Sequence, residues 1–169
     1  MEAYWRLGWD AANLYIAAIV RDDIHVQTRS DEKIYQGDSI ELQFDTDLAG
    51  DYGDPLNADD FHLLMSPGDF ASVPTAFYLW RGENGRFTQI PWQGIIMAAR
   101  PLAEGGYVIE AVIPWSNFSL TPTAGMRIGL ALNVSDNDQP GTAVQEMMKS
   151  NVETRTYSDP ASWGTLTLP

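Results

Sequence analysis

In Ile128-Gly129-Leu130-Ala131-Leu132-Asn133-Val134-Ser135 every second residue is a large aliphatic, and those between are small or polar. That is the period of a β-strand, whose successive side chains leave on opposite faces. Ile128, Leu130, Leu132 and Val134 are assigned to a core, and Gly129, Ala131 and Asn133 face away from it. The same period recurs upstream. Ile40, Leu42 and Phe44 point one way and Glu41 and Gln43 the other; Phe61, Leu63 and Met65 point inward and His62 outward. Strands with one apolar and one polar face are those of antiparallel sheets.

Working outward, further strands are predicted at Tyr4–Trp9, Leu14–Arg21, Ala76–Trp80, Ile95–Arg100, Tyr107–Ile113 and Gly164–Leu168. Between the strands lie Asp-Ala-Ala-Asn, Tyr-Gln-Gly-Asp, Ser-Pro-Gly-Asp, Glu-Asn-Gly, Glu-Gly-Gly and Asp-Asn-Asp-Gln-Pro-Gly, which supply the residues that turns require. No segment carries a 3.6-residue apolar period. Short helical turns are expected at Pro114–Phe118 and Asp159–Trp163, and a long loop at Thr142–Tyr157. Many short, evenly spaced strands predict an all-β fold: an antiparallel sandwich of two packed sheets, jelly-roll or immunoglobulin-like. With 169 residues, 44% of them hydrophobic, the chain is expected to form one domain over 1–169 with a full core.

Charge narrows the function. The net charge is −13, so binding to phosphate backbones or anionic membranes, which relies on Lys and Arg, is excluded as an expectation. No apolar run reaches the roughly 20 residues of a membrane span. From Ile34 to Trp80 there is no Lys or Arg, while Asp38, Glu41, Asp45, Asp47, Asp51, Asp54, Asp59, Asp60 and Asp69 supply nine carboxylates. Such a run is often just a solvated acidic face. Among Tyr, Phe and Leu in folded chain, it repels itself unless a cation compensates. Asp45-Thr46-Asp47-Leu48-Ala49-Gly50-Asp51 has the alternating Asp and the Gly of a calcium loop. Ala49 and Leu56 stand where an EF-hand needs ligands, so an EF-hand is rejected. Calcium is expected on Asp45, Asp47, Asp51, Asp59 and Asp60, with smaller clusters at Asp22-Asp23 and Asp136-Asn137-Asp138 that nominate Asp22 and Asp136. Oxygen-only ligation suits this cation. There is no cysteine, so disulfides and thiolate sites are excluded.

Catalytic patterns are lacking. There is no Gly-x-Ser-x-Gly, no His-Glu-x-x-His among the two histidines, and no phosphate-binding glycine loop. Glycoside hydrolysis needs a carboxyl pair, which sequence cannot single out among so many carboxylates. The six Trp and seven Tyr carry more information. Trp9, Trp115 and Trp163 sit in apolar company and are assigned to the core, whereas Trp5, Trp80 and Trp92 are open. Tyr35 and Tyr157 stand in polar turns, in Ile34-Tyr35-Gln36-Gly37-Asp38 and Arg155-Thr156-Tyr157-Ser158-Asp159. There a ring either caps the sandwich edge or binds a ligand.

Taken together, several motifs resemble the family 9 carbohydrate-binding modules of xylanases and related secreted enzymes. They are Trp9-Asp10-x-x-Asn13-Leu14-Tyr15-Ile16 with Val20-Arg21-Asp22; Gly37-Asp38-Ser39-Ile40-Glu41-Leu42-x-Phe44-Asp45; Gly106-Tyr107-Val108-Ile109-Glu110-Ala111-x-Ile113-Pro114-Trp115; Ile128-Gly129-x-x-x-Asn133-Val134-x-Asp136; and Asp159-Pro160-x-x-Trp163-Gly164-x-Leu166. They occur in the family's order across nearly the whole chain. The resemblance implies a non-catalytic, calcium-holding sandwich that binds a polysaccharide or oligosaccharide, such as a β-glucan or xylan chain end, between two aromatics. Tyr35 and Tyr157 fall at those aromatic positions, and Glu41, His62 and Asn133 fall at or near the hydroxyl-binding positions. The acidic-Trp strand that opens the family is lacking. The resemblance implies a monomer or a module tethered to a catalytic domain, and thus a piece of a secreted, extracellular protein, although Met1 leads straight into Glu2-Ala3-Tyr4-Trp5 without a signal peptide. Two rivals stand beside it: a haem-binding electron-transfer sandwich drawing axial ligands from Met65, Met97, His62 or Lys33, and an accessory domain of a glycoside hydrolase.

Overall fold

A computed structural model describes all residues from Met1 to Pro169. Eleven strands form two antiparallel sheets. One sheet has the order β1 (Glu2–Trp9), β2 (Asn13–Arg21), β8 (Tyr107–Pro114), β7 (Ile96–Pro101). The other runs β10 (Met147–Ser150), β9 (Arg127–Asp136), β3 (Ser39–Asp45), β4 (Asp60–Ser66), β5 (Ala76–Glu83), β6 (Arg86–Gln89). β11 (Gly164–Thr167) shares the outer edge of β9 with β10: it pairs Arg127–Leu130, and β10 pairs Asn133–Asp136. The remaining regular segments are 3-10 turns at Ile34–Gln36, Trp115–Phe118 and Pro160–Ser162. No helix is long and apolar enough to cross a membrane.

The alternation read from sequence places the core. Ile40, Leu42 and Phe44 meet Phe61, Leu63, Met65, Leu79, Ile128, Leu130, Leu132 and Val134 from one sheet; Leu14, Ile16, Ala18, Val20, Ile109 and Ile113 close the other side. Trp115 and Phe118, on the turn after β8, fill the end of this core. Trp115 also donates its indole N–H to the Asp10 carbonyl at 3.0 Å. Trp163 lies in a satellite cluster with Leu56 and Ala131 on the outer side of β9. Burying a single Leu or Phe contributes about 1.5–3 kcal/mol, so the 23 residues of the main cluster dominate stability.

Two sequence expectations are corrected, and the polar sheet face proves to be covered. Thr142–Tyr157 is not all loop, because Met147–Ser150 is strand β10; four residues on a sheet edge carry too little alternation to register as a strand. The strand from Ala76 runs on to Glu83 and turns into β6, a strand not expected. Asn84 (φ 51°) and Gly85 (φ 77°) are both left-handed, the geometry for which Asn-Gly hairpin turns are favoured. Lastly, the polar face of β3, β4 and β9 is not solvated: Glu41, Gln43, His62, Asn133 and Ser135 are all buried, because residues of the 145–157 segment lie over it.

Candidate functional site

The outward face of the larger sheet holds a cleft of about 590 Å³ lined by Glu32, Lys33, Tyr35, Glu41, His62, Leu64, Trp80, Gln145, Met148, Arg155 and Tyr157. Its floor follows from strand register. β3 and β4 pair Gln43 with His62 and Glu41 with Leu64, and β5 brings Trp80 beside His62. Tyr35 arrives on the 3-10 turn before β3, and Tyr157 from the segment after β10. Sequence placed Tyr35, Tyr157, Glu41, His62 and Asn133 here. The structure brings the first four together. Asn133 pairs with Glu41 across β9 and β3 but is fully buried and does not line the cleft; its amide donates to Gln43 at 3.4 Å.

A hydrogen-bond chain fixes the floor. His62 Nε2–H donates to Glu41 at 3.0 Å, which leaves Nδ1 to accept from the Tyr157 hydroxyl at 3.4 Å. Ser135 donates to the other Glu41 oxygen at 2.7 Å, and Gln145 donates to Ser135 at 2.7 Å. Burial raises the pKa of Glu41, but the hydrogen bond from His62, the Ser135 hydroxyl and the Arg155 cation outweigh it and hold the carboxyl below its ordinary value. Glu41 is therefore a fixed buried anion. Tyr157 is 48% exposed because its ring lies open while its hydroxyl is sunk against His62. Burial, and then the charge of Glu41, push that hydroxyl up to about 12, so it remains a donor.

Sequence reading missed Arg155, Gln145 and Met148, and left Trp80 open. Arg155 Nε donates to Gln43, and its guanidinium carbon stands 5.7 Å from the Tyr157 ring centre. Gln43 in turn donates to the Tyr157 carbonyl at 2.7 Å, so Gln43 and Arg155 together clamp Tyr157 from below. The rings of His62 and Phe87 meet Tyr157 edge-on, each at 5.3 Å. Trp80 packs on His62 at 5.5 Å. Trp92 lies elsewhere, against Phe77. Aromatic walls over a floor of fixed donors and acceptors suit a ligand with both C–H faces and hydroxyls.

Three acidic triads, two of them sharing Asp22, lie at the ends of the strands. Carboxylate oxygens of Asp22, Asp38 and Asp136 lie within 4.8 Å of one another, as do those of Asp22, Asp23 and Asp138, and those of Asp45, Asp51 and Asp59. Asp38, not nominated from sequence, sits at the start of β3, which the β3–β9 pairing sets beside Asp136. It accepts from the Val26 and Asn137 amides at 2.8 and 3.0 Å, and His25 Nδ1 lies 2.8 Å from it. Both Asp22 oxygens, and one each of Asp136, Asp59 and Asp60, are buried without a partner. Burial first, then Asp38 and Asp136, raises Asp22 to about 7; burial likewise raises Asp45 to about 6 and Asp60 to about 7. Asp47 and Asp60 fall outside the tight Asp45 group. Asp60 is the cross-strand neighbour of Asp45, and Asp45 Oδ1 accepts the Asp47 amide at 2.9 Å. Orphaned, oxygen-only, close-set carboxylates fit a hard divalent cation. Of the four candidate haem ligands, only His62 and Lys33 share the cleft. Met65 is in the core on the side opposite His62, Met97 is on the other sheet, and His62 is held by Glu41.

An all-antiparallel sandwich with an aromatic-walled cleft on an outer sheet face defines a ligand-binding module. The chain belongs to the carbohydrate family 9 binding domain-like family, whose model matches residues 1–169; it is a non-catalytic carbohydrate-binding module. Among curated proteins it is 28% identical over 165 residues to endo-1,4-beta-xylanase A of Thermotoga neapolitana, covering 96% of this chain and 14% of that one. It is 25% identical over 163 residues to exoglucanase XynX of Acetivibrio thermocellus, covering 96% and 13%. The chain thus spans a small part of the relatives it matches. Among solved structures, a family 9 module from Caldicellulosiruptor kristjanssonii in complex with glucose aligns with TM-score 0.70 and 22% identity over 99% of this chain and 76% of that one. The same module in complex with cellotriose aligns with TM-score 0.70 over 98% and 74%.

Proposed function

We propose that the cleft binds a β-linked glucan or xylan oligosaccharide, or the end of such a chain, with Tyr35 and Tyr157 against the sugar faces and Glu41 and His62 on its hydroxyls. The observation that carries this reading is the convergence of Tyr35, Glu41, His62 and Tyr157 on one cleft from four separate segments. A solved relative bound to cellotriose and relatives named xylanase and exoglucanase support the ligand class. We also propose that Ca²⁺ occupies the Asp22–Asp38–Asp136 and Asp45–Asp51–Asp59 clusters. The ion would neutralise clusters in which Asp22, Asp136 and Asp59 hold buried oxygens without a protein donor, and so stabilise the ends of β3 and β9. The parent protein is taken to be a secreted polysaccharide-degrading enzyme to which this module is tethered, since an insoluble polymer is met outside the cell. Calorimetric titration with cellotriose and xylotriose tests the site. Tyr157→Ala should weaken binding at least about tenfold, the loss typical of a buried aromatic anchor. Unchanged affinity in both Tyr35→Ala and Tyr157→Ala would sink the assignment.

A further inference from the structure

The outer face of the four-stranded sheet is unlike the solvated face of an ordinary antiparallel sheet. Register gives three cross-strand rows. Gly8, Tyr15, Val112 and Ile96 form the first; Arg6, Ala17, Glu110 and Ala98 the second; Tyr4, Ile19, Val108 and Arg100 the third. Nine of these twelve positions are apolar or glycine. Tyr15, Ile96 and Tyr4 are 39%, 68% and 53% exposed, and part of the face forms a shallow apolar trough. Arg6 and Glu110 stand in one row with only Ala17 between them, and neither has an ion-pair partner in the chain. Taken with Glu2 and Arg21 at its end, the face carries Arg6, Arg21 and Arg100 against Glu2 and Glu110, a net +1 in a chain of net −13.

We infer that this face packs against the same face of a second copy of the chain. The pattern is self-complementary about a two-fold axis parallel to the strands, lying between the two faces over the seam of β2 and β8. Rotation about that axis lays β2 on β8 and β1 on β7 of the second copy. Ile96 then meets Gly8, Arg6 meets Ala98 and Glu110 meets Ala17, a large side chain against a small one in each, while Tyr15 meets Val112, Ile19 meets Val108 and Tyr4 meets Arg100 as pairs of large side chains. Arg6 comes to lie one strand spacing, about 4.8 Å, to the side of Glu110 of the second copy, across the about 10 Å that separates packed sheets and so within reach of two long side chains, and by symmetry the pair forms twice. A partner that was merely acidic would be repelled by Glu110 at the centre of the face; a second copy supplies the cation that Glu110 lacks. Four strands and three rows make a face of roughly 400 Å² per copy, about half of a standard interface, so the dimer is a weak, concentration-dependent one.

Sedimentation velocity or light scattering on the intact chain, from about 5 to 500 µM, tests this in the range expected of a small interface. The wild type should shift from monomer to dimer mass. Glu110→Arg and Arg6→Glu should each weaken dimerisation at least about tenfold by setting like charges side by side, and the double variant R6E/E110R should restore it. Both positions are exposed, and unchanged melting temperatures would verify that the variants fold. A wild type that stays monomeric throughout, or single variants that dimerise as it does, or a double swap that fails to recover, would overturn the inference.

Discussion

Asp22 offers the sharpest test of the acidic clusters, because its substitution should act in opposite directions with and without calcium. Both its carboxylate oxygens are buried and unpartnered, and burial with the charges of Asp38 and Asp136 raises it from 3.8 to about 7. The folded, metal-free chain therefore holds a proton there that the unfolded chain has released. Its contribution to stability is present in full below about pH 4 and is lost as pH rises to about 7, because the folded state binds more protons across that window. A shift of about three units corresponds to about 4 kcal/mol, an upper figure since Asp38 and Asp136 share the interaction. Asp22→Asn removes the charge and keeps the shape. In chelator at about pH 8 it should raise stability by roughly 1–4 kcal/mol, some 3–10 °C in melting temperature for a chain of this size. In Ca²⁺ a thousandfold above its Kd it should be the less stable protein, because such a ligand adds about 4.1 kcal/mol that the Asn form forgoes, at least the whole gain seen in chelator. Urea unfolding of both proteins across pH 4–8, in chelator and in Ca²⁺, reads all of this. A metal-free wild type whose stability does not fall between about pH 4 and 7, or an Asn variant destabilised in chelator, would refute the reasoning.

Two further outcomes follow from the floor and from one glycine. Glu41→Gln leaves His62 and Ser135 facing a neutral amide in a buried network, and should cost about 1–3 kcal/mol in chemical denaturation as well as weakening oligosaccharide binding. Gly129 lies opposite Asp45, and a Cβ there would stand 2.8 Å from Asp45 Cβ; Gly129→Val should therefore lower stability by about 1–3 kcal/mol and loosen Ca²⁺ at the Asp45 cluster, seen by titrating the metal-free protein.

Strand period and turn chemistry made the larger sheet legible in advance: the inward and outward sets on β3, β4 and β9 lie where alternation put them. Periodicity could not say that the outward set is buried, since that depends on Gln145, Arg155 and Tyr157 arriving from more than a hundred residues away in the case of Glu41 and Gln43. Arg155 gave no local signal, being one cation in a polar, non-periodic stretch. Tyr35 and Tyr157 were singled out by polar surroundings and by resemblance together. Asp38 escaped as a cluster member because only the β3–β9 register, Ser39 opposite Ser135, brings it near Asp136. The strand β6 was within reach, since Asn84-Gly85 marks a hairpin and Arg-Phe-Thr-Gln follows it.

The clamp that holds Tyr157 has a consequence for how the module is made. The strands β3, β4 and β5 that carry Glu41, His62 and Trp80 all lie within the first half of the chain, whereas Ser135, which holds Glu41, comes with β9, and the wall bearing Tyr157 follows β10. During synthesis the aromatic grip is thus among the last features to close. A chain clipped between Ser150 and Tyr157 would keep the paired floor strands but present a sugar with a one-sided groove. On the sugar site proposed above, recognition is a certificate of completion: the ligand would be held only by molecules whose C-terminal segment has returned to strands laid down some hundred residues earlier.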